Sequence, residues 1–152
     1  MKHFDVVSYT KVGPIDFGMS QAEVRRLLGE PASSYRTTTA HDADLIDFYN
    51  MEIGHVLVGY GAKTGVCVSV EAASPFGLVL LGRDIVNNNY DDLLAWAKAR
   101  DASMEIDASG FVSHVLGVGL FIESDLDENG RRKSISIEGA IAFCRGYWDK
   151  QS

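Results

Sequence analysis

The segment from Gly18 to Pro31 (GMSQAEVRRLLGEP) carries both ends of a short helix. Ser20 and Glu23 stand three apart, the spacing of a capping box. In that motif the serine hydroxyl accepts from the Glu23 amide while the glutamate carboxylate reaches back to the Ser20 amide. Met19 and Val24 fall at the two positions of a hydrophobic staple. Gly29 supplies a left-handed residue past the end, and Pro31 forbids continuation. This helix constrains architecture and brings no catalytic group with it.

The chain around it reads as strands. Val6 to Phe17 holds short apolar pieces broken by Gly13-Pro14, with Ile15 and Phe17 alternating around Asp16 as an edge strand. After Pro31 the hydrophobic period drops to two. Strands are predicted over Tyr35 to Thr39, Leu45 to Tyr49, Gly54 to Tyr60 and Val66 to Val70. In the last of these Val66, Val68 and Val70 are expected on one face. Gly61 to Gly65 is a hairpin loop with glycine at both ends.

The second half repeats the plan. Leu78 to Leu81 is a short strand, and Asn87-Asn88-Asn89 offers N-caps for a helix from Tyr90 to Arg100. Tyr90, Leu93, Leu94 and Ala97 form its apolar face, with Asp91 and Asp92 in the first turn and Lys98 and Arg100 in the last. Strands follow at Met104 to Ile106, Phe111 to Ser113, Val115 to Ile122, Ser134 to Glu138 and Ala140 to Tyr147. The order implies a single α+β domain over residues 1–152, with a mostly antiparallel sheet and two helices on one face. Its two similar helix-plus-strands halves are expected as pseudo-repeats over 13–73 and 77–147.

The pattern Phe17-Gly18-Met19-Ser20 through Val24, Leu28, Gly29 and Pro31 resembles the helix entry of two related families. One is the small lipoprotein of the outer-membrane β-barrel assembly machine. The other is the β-lactamase inhibitor protein, built from two helix-plus-sheet units. Both are non-enzymatic protein binders, so the resemblance implies a sheet surface used for partner recognition. The sequence differs from both groups: Met1 to Asp5 lacks the apolar core of a secretory signal, no lipid-attachment cysteine is found, and the inhibitor's cysteine pairs are missing. A cytoplasmic location is the expectation.

Charge narrows the partners. A net charge of −7 without a basic stripe disfavours nucleic acid and anionic membranes and suits a basic protein. No run reaches the length of a membrane helix. Cys67 and Cys144 lack metal-like spacing and read as free buried thiols, with a disulfide as the alternative.

Motifs for chemistry are sparse. Asp125, Asp127, Asn129 and Gly130 match the start of a calcium loop, but Ser136 replaces the bidentate glutamate and Arg131-Arg132-Lys133 crowds the site with positive charge. A hairpin loop is the favoured reading. The four histidines lack zinc spacing, and neither a P-loop nor a nucleophile elbow occurs. No catalytic residue, metal or cofactor is assigned.

Two acidic surfaces remain, and they supply the expected protein-binding residues: Asp42, Asp44, Asp47 and Tyr49 in one, Glu123, Asp125, Asp127 and Glu128 in the other. Set near Tyr35, Tyr60 and Trp148, they suggest aromatic anchors with a charged rim. The leading expectation is a small binding protein that sequesters another protein. Its most concrete form is an immunity protein occluding the active site of a basic bacterial toxin domain. An enzyme or small-ligand-binding domain with a site across the sheet is the first alternative. A structural adaptor or homo-oligomer using a strand edge or the Tyr147-Trp148 tail is the second. The oligomeric state is left open.

Overall fold

The computed structural model describes residues 2–37 and 43–148, with the backbone alone at 43, 44, 125 and 132–134. The capped helix forms between its two signals, as α1 (Gln21–Leu28). The Glu23 amide donates to Ser20 Oγ at 3.1 Å, and the Ser20 amide donates to Glu23 Oε1 at 3.2 Å. Such a cap contributes roughly 1 kcal/mol. Gly29 adopts φ 86° and its amide donates to the Arg25 carbonyl, which closes the last turn. Val24 is fully buried and Met19 packs against the same core. The second helix, α2 (Tyr90–Lys98), begins where Asn89 accepts the Asp92 amide at 3.0 Å, and buries Tyr90, Leu93 and Ala97.

Thirteen strands surround these helices among the described residues. The first half supplies β1 (His3–Val7), β2 (Lys11–Val12), β3 (Ile15–Asp16), β4 (Ser33–Arg36), β5 (Ala43–Asn50), β6 (His55–Gly61) and β7 (Cys67–Ala73). The second supplies β8 (Gly77–Leu80), β9 (Arg83–Asp84), β10 (Glu105–Asp107), β11 (Gly110–Ser113), β12 (Val118–Leu126) and β13 (Arg132–Phe143). Eight of them form one antiparallel sheet in the order β10-β11-β12-β13-β7-β6-β5-β4. Short strands, a helix and four antiparallel strands thus occur twice in succession, with three short strands opening the first half and two the second, and β7 and β13 meet at the centre of the large sheet. The fold is α+β, mostly antiparallel, with two helix-plus-strands halves.

The other five strands make a small sheet, β3-β2-β1-β8-β9, in which β1 and β8 run parallel from His3 opposite Gly77 to Val6 opposite Leu80. Sequence periodicity does not foretell that pairing, because it joins segments far apart in the chain. The small sheet and both helices lie over one face of the large sheet. Val12, Ile15, Val24, Leu78, Leu80 and Leu93 pack there against Val56, Val58, Val70, Ala72, Leu120 and Ala142. Each fully buried valine, leucine or isoleucine among them stabilises the fold by roughly 1.5–3 kcal/mol.

Several boundaries and one facing differ from expectation: the second helix ends at Lys98 and not at Arg100, and the last strand stops at Phe143 and not at Tyr147. A register shift opposite Gly59 and Tyr60 inserts an extra residue between Cys67 and Ser69. Such a bulge resets the alternation. Val68 therefore leaves the face of Val70 and packs with Ile141, Phe143 and Tyr147 on the opposite side. Ser134 to Glu138 and Ala140 onward are one strand, β13, bulged where Ile122 pairs Ile137 while Phe121 pairs Gly139. Val115 to Gly117 form a turn before β12. At the tight β10–β11 connection Gly110 has φ +142°, and a Cβ there would lie 1.9 Å from the Leu120 carbonyl oxygen. Of the strand expected from Tyr35 to Thr39, Thr38 and Thr39 lie outside the described residues.

Candidate functional site

The helices leave the other face of the large sheet open, and that face holds a cleft of about 280 Å³. Its floor is built by register. Glu71 of β7 sits between Leu57 of β6 and Ile141 of β13, while Ser69 lies opposite Gly59. Ile46 and Tyr35 pair across β5 and β4 on one side, and Phe121 of β12 lies on the other. Gly59 contributes no side chain, and a side chain's absence in the middle of a sheet face lowers the floor there.

The far wall is the turn that follows β13. The Cys144 amide donates to the Val68 carbonyl at 2.9 Å, and the Tyr147 amide to the Cys144 carbonyl at 3.3 Å. This folds Tyr147 back over Phe143, the rings stacked at 5.7 Å, and sets Trp148 edge-on to both. Val68, Ile141, Phe143 and Tyr147 bury themselves together as a cluster separate from the main core. A small apolar core thus holds the aromatic wall on a face that would otherwise be solvent.

Glu71 is the only charged side chain among the described residues lining the cleft. No described residue donates a hydrogen bond to its carboxylate or forms an ion pair with it. Apolar surroundings disfavour the ionised form, and burial pushes this carboxyl above the usual glutamate range. The arrangement is a mostly apolar concavity with aromatic walls and one convergent acid, a composition suited to binding.

The expected binding residues are dispersed. Asp42 lies outside the described residues, as do the side chains of Asp44 and Asp125. Asp47 is fully buried on the helix-covered face, so it is not a surface carboxylate. Its position on β5 alternates with Ile46 and Phe48, and β-pleating turns it inward toward α1. There Arg25 donates from Nε at 2.9 Å and from Nη2 at 3.0 Å, and Gln21 adds a third bond at 3.1 Å. Burial raises the Asp47 carboxyl, but the bonds from Arg25, Ser34 and Gln21 and the Arg25 charge outweigh it, so the group is held below the usual carboxylate range.

Tyr49 also faces inward, 4% exposed, with its hydroxyl pushed up to about 12 by burial and the nearby Asp47 charge. Tyr60 is fully buried beside them. Of the aromatic anchors expected near acidic loops, Tyr35 and Trp148 share the cleft and the other two do not. Glu123 and Glu128 are exposed on the β12–β13 hairpin. Asp127 accepts the Asn129 and Arg131 amides at 2.9 and 2.8 Å, as the organising residue of that hairpin's loop.

Periodicity did not single out Glu71, Phe121 or Ile141. The available signal is a lone acid in the otherwise uncharged and mostly apolar central stretch CVSVEAA, since glutamate is seldom placed inside a sheet without a reason. Cys67 and Cys144 are free thiols. His55 packs on Phe48 at 5.0 Å, and His114 lies beside Phe143 and Trp148. Among the described residues no three metal-ligating side chains come together.

No family model and no curated protein matches this chain. Among solved structures it is similar to an extracellular protein containing an SCP domain from Bacillus anthracis str. Ames, at 12% identity and a TM-score of 0.46. That match covers 84% of this chain and 44% of the other, so the chain spans less than half the length of the protein it resembles.

Proposed function

We propose that this chain is a protein-binding protein that docks its partner on the open face of the eight-stranded sheet. In its most concrete form it is an immunity protein that occludes the active site of a basic bacterial toxin domain. One observation carries the reading: helices and the small sheet cover one face of the large sheet, while the other presents an aromatic-walled cleft supported by its own small core. A sheet face that only needed to be soluble would alternate to polar residues. Here Tyr35, Ile46, Leu57, Phe121 and Trp148 occupy it instead. Aromatic anchors within a polar rim are the composition of binding hot spots. Exposed Glu123 and Glu128 and a net charge of −7 suit a basic partner and steer its approach. The toxin-inhibitor form draws further on the resemblance of Phe17 to Pro31 to families of protein binders.

The test is capture of the product of the adjacent gene, co-expressed with this chain. Tyr35→Ala and Leu57→Asp each weaken the complex by about tenfold or more while circular dichroism stays native. Raising salt slows association more than it speeds dissociation. A complex indifferent to both substitutions would remove the open face as the docking surface. Failure to bind the neighbouring gene product would remove the immunity reading.

A further inference from the structure

We propose that the open-face cleft takes one arginine or lysine side chain of the partner, its cationic head paired with Glu71 and its stem held between Tyr35, Tyr147 and Trp148. This rests on the open face being the docking surface and specifies what that surface reads. Four observations converge on a cation. The cleft's one charged lining residue is an acid, and no described residue neutralises it. Its walls are aromatic rings, whose faces attract ammonium and guanidinium groups. Its volume of about 280 Å³ lies at the lower limit for small-molecule pockets, which suits a single side chain. The protein as a whole is acidic, so its field draws cations in.

The position of Glu71 sharpens the inference. It stands on β7, at the centre of the large sheet, with Leu57 and Ile141 directly opposite on the two neighbouring strands. Neither neighbour can hydrogen-bond a carboxylate, so its oxygens are left to whatever enters the cleft. A guanidinium satisfies both oxygens with two parallel charge-assisted bonds, while the methylene stem lies on the apolar floor. An uncharged or anionic side chain of the same shape leaves the acid uncompensated.

The experiment uses the full chain in a Trp96→Phe background, so that Trp148 is the fluorescent reporter within the cleft. The probe is N-acetyl-arginine-N-methylamide at constant ionic strength, with the uncharged isostere N-acetyl-citrulline-N-methylamide beside it. A saturable change in Trp148 emission is expected with the arginine probe, about tenfold weaker with citrulline. Glu71→Gln reduces arginine binding to the citrulline level. Leu57→Lys, which puts an internal ammonium opposite Glu71, abolishes it. Equal binding of the two probes, no response to either, or full binding by Glu71→Gln overturns the proposal. Partner capture separates this proposal from the docking reading. If Tyr35→Ala weakens the complex and Glu71→Gln does not, the cationic recognition fails and the docking face stands. If the arginine probe binds but capture ignores every open-face substitution, the docking reading fails instead.

Discussion

Replacing Arg25 by methionine tests what holds α1 to the sheet. The Arg25 guanidinium makes two bonds to Asp47, at 2.9 and 3.0 Å, and its side chain is 29% exposed while that of Asp47 is not exposed at all. Had both partners been in water, the pair would contribute at most about 1 kcal/mol. What decides the outcome is the group left behind. Without Arg25 the buried carboxylate keeps Gln21 at 3.1 Å, the Ser34 side chain and a marginal Tyr60 hydroxyl at 3.5 Å. Stranding a buried charge costs about 3–5 kcal/mol, and partial exposure of the guanidinium argues for the lower end, about 3. For a chain of this size that corresponds to a fall in Tm of roughly 6–12 °C. Asp47→Asn costs less, about 1–2 kcal/mol, because the freed guanidinium can turn to water. The double substitution costs less than the sum, with a coupling of about 1–3 kcal/mol.

The pH dependence is the stricter check on the same pair. In the native protein Asp47 is held below its unfolded value of about 3.9, so its contribution is complete above that pH and is lost as pH falls through the lower folded value. In Arg25→Met the influence of burial dominates and lifts the folded value above about 3.9. Stability of the variant then declines as pH rises from about 4, and its deficit against the native protein narrows on acidification to that pH. Urea unfolding at pH about 4 and about 7.5 in low salt measures both curves. A deficit below about 1 kcal/mol at the higher pH, or one that does not change with pH, would refute the reasoning.

Three further outcomes follow from the geometry. Gly110→Ala places a methyl group 1.9 Å from the Leu120 carbonyl oxygen at a φ of +142°, and is expected to cost about 3 kcal/mol or more, or to prevent folding, as read by thermal melting. Cys67 is buried with its thiol pushed up to about 12 by that burial, so iodoacetamide at pH 8 leaves it intact in the native protein and alkylates it in urea, as mass spectrometry of peptides will show. Because the Glu71 carboxyl is raised, its unfavourable effect on stability appears as pH climbs from about 4.3 through the higher folded value. Glu71→Gln is therefore increasingly stabilised over the native protein with rising pH in urea titrations, and a constant difference across that range would contradict it.

Local signals were legible, and long-range ones were not. Both ends of α1 and the start of α2 are encoded within three or four residues, by Ser20, Glu23, Gly29 and Asn89, and the structure uses each of them. The meander from β5 to β7 follows from period-two alternation for the same reason. The facing of Val68 was not legible, because a bulge depends on what the neighbouring strand offers. Asp47 looked like one more acid in an acidic stretch. Its burial depends on Arg25, which lies twenty-two residues earlier and meets it only when α1 docks. The cleft combines residues from β4 through β13, so no window of sequence contains it. What a window does contain is Glu71 among apolar neighbours, a conflict between residue and environment of the kind that marks functional positions.

The two halves are sewn together along separate seams. One is the β7–β13 ladder from Ser69 opposite Phe143 to Ala73 opposite Gly139; the other is the parallel β1–β8 ladder on the far side of the core. Parting the halves would open both seams at once and expose the apolar layer between the sheets. An intermediate with one half folded and the other molten therefore has an exposed strand edge in each sheet and little left to bury. Loosening transmitted from the open face should not stop at the midline: the molecule yields as one piece, in a single transition common to every probe.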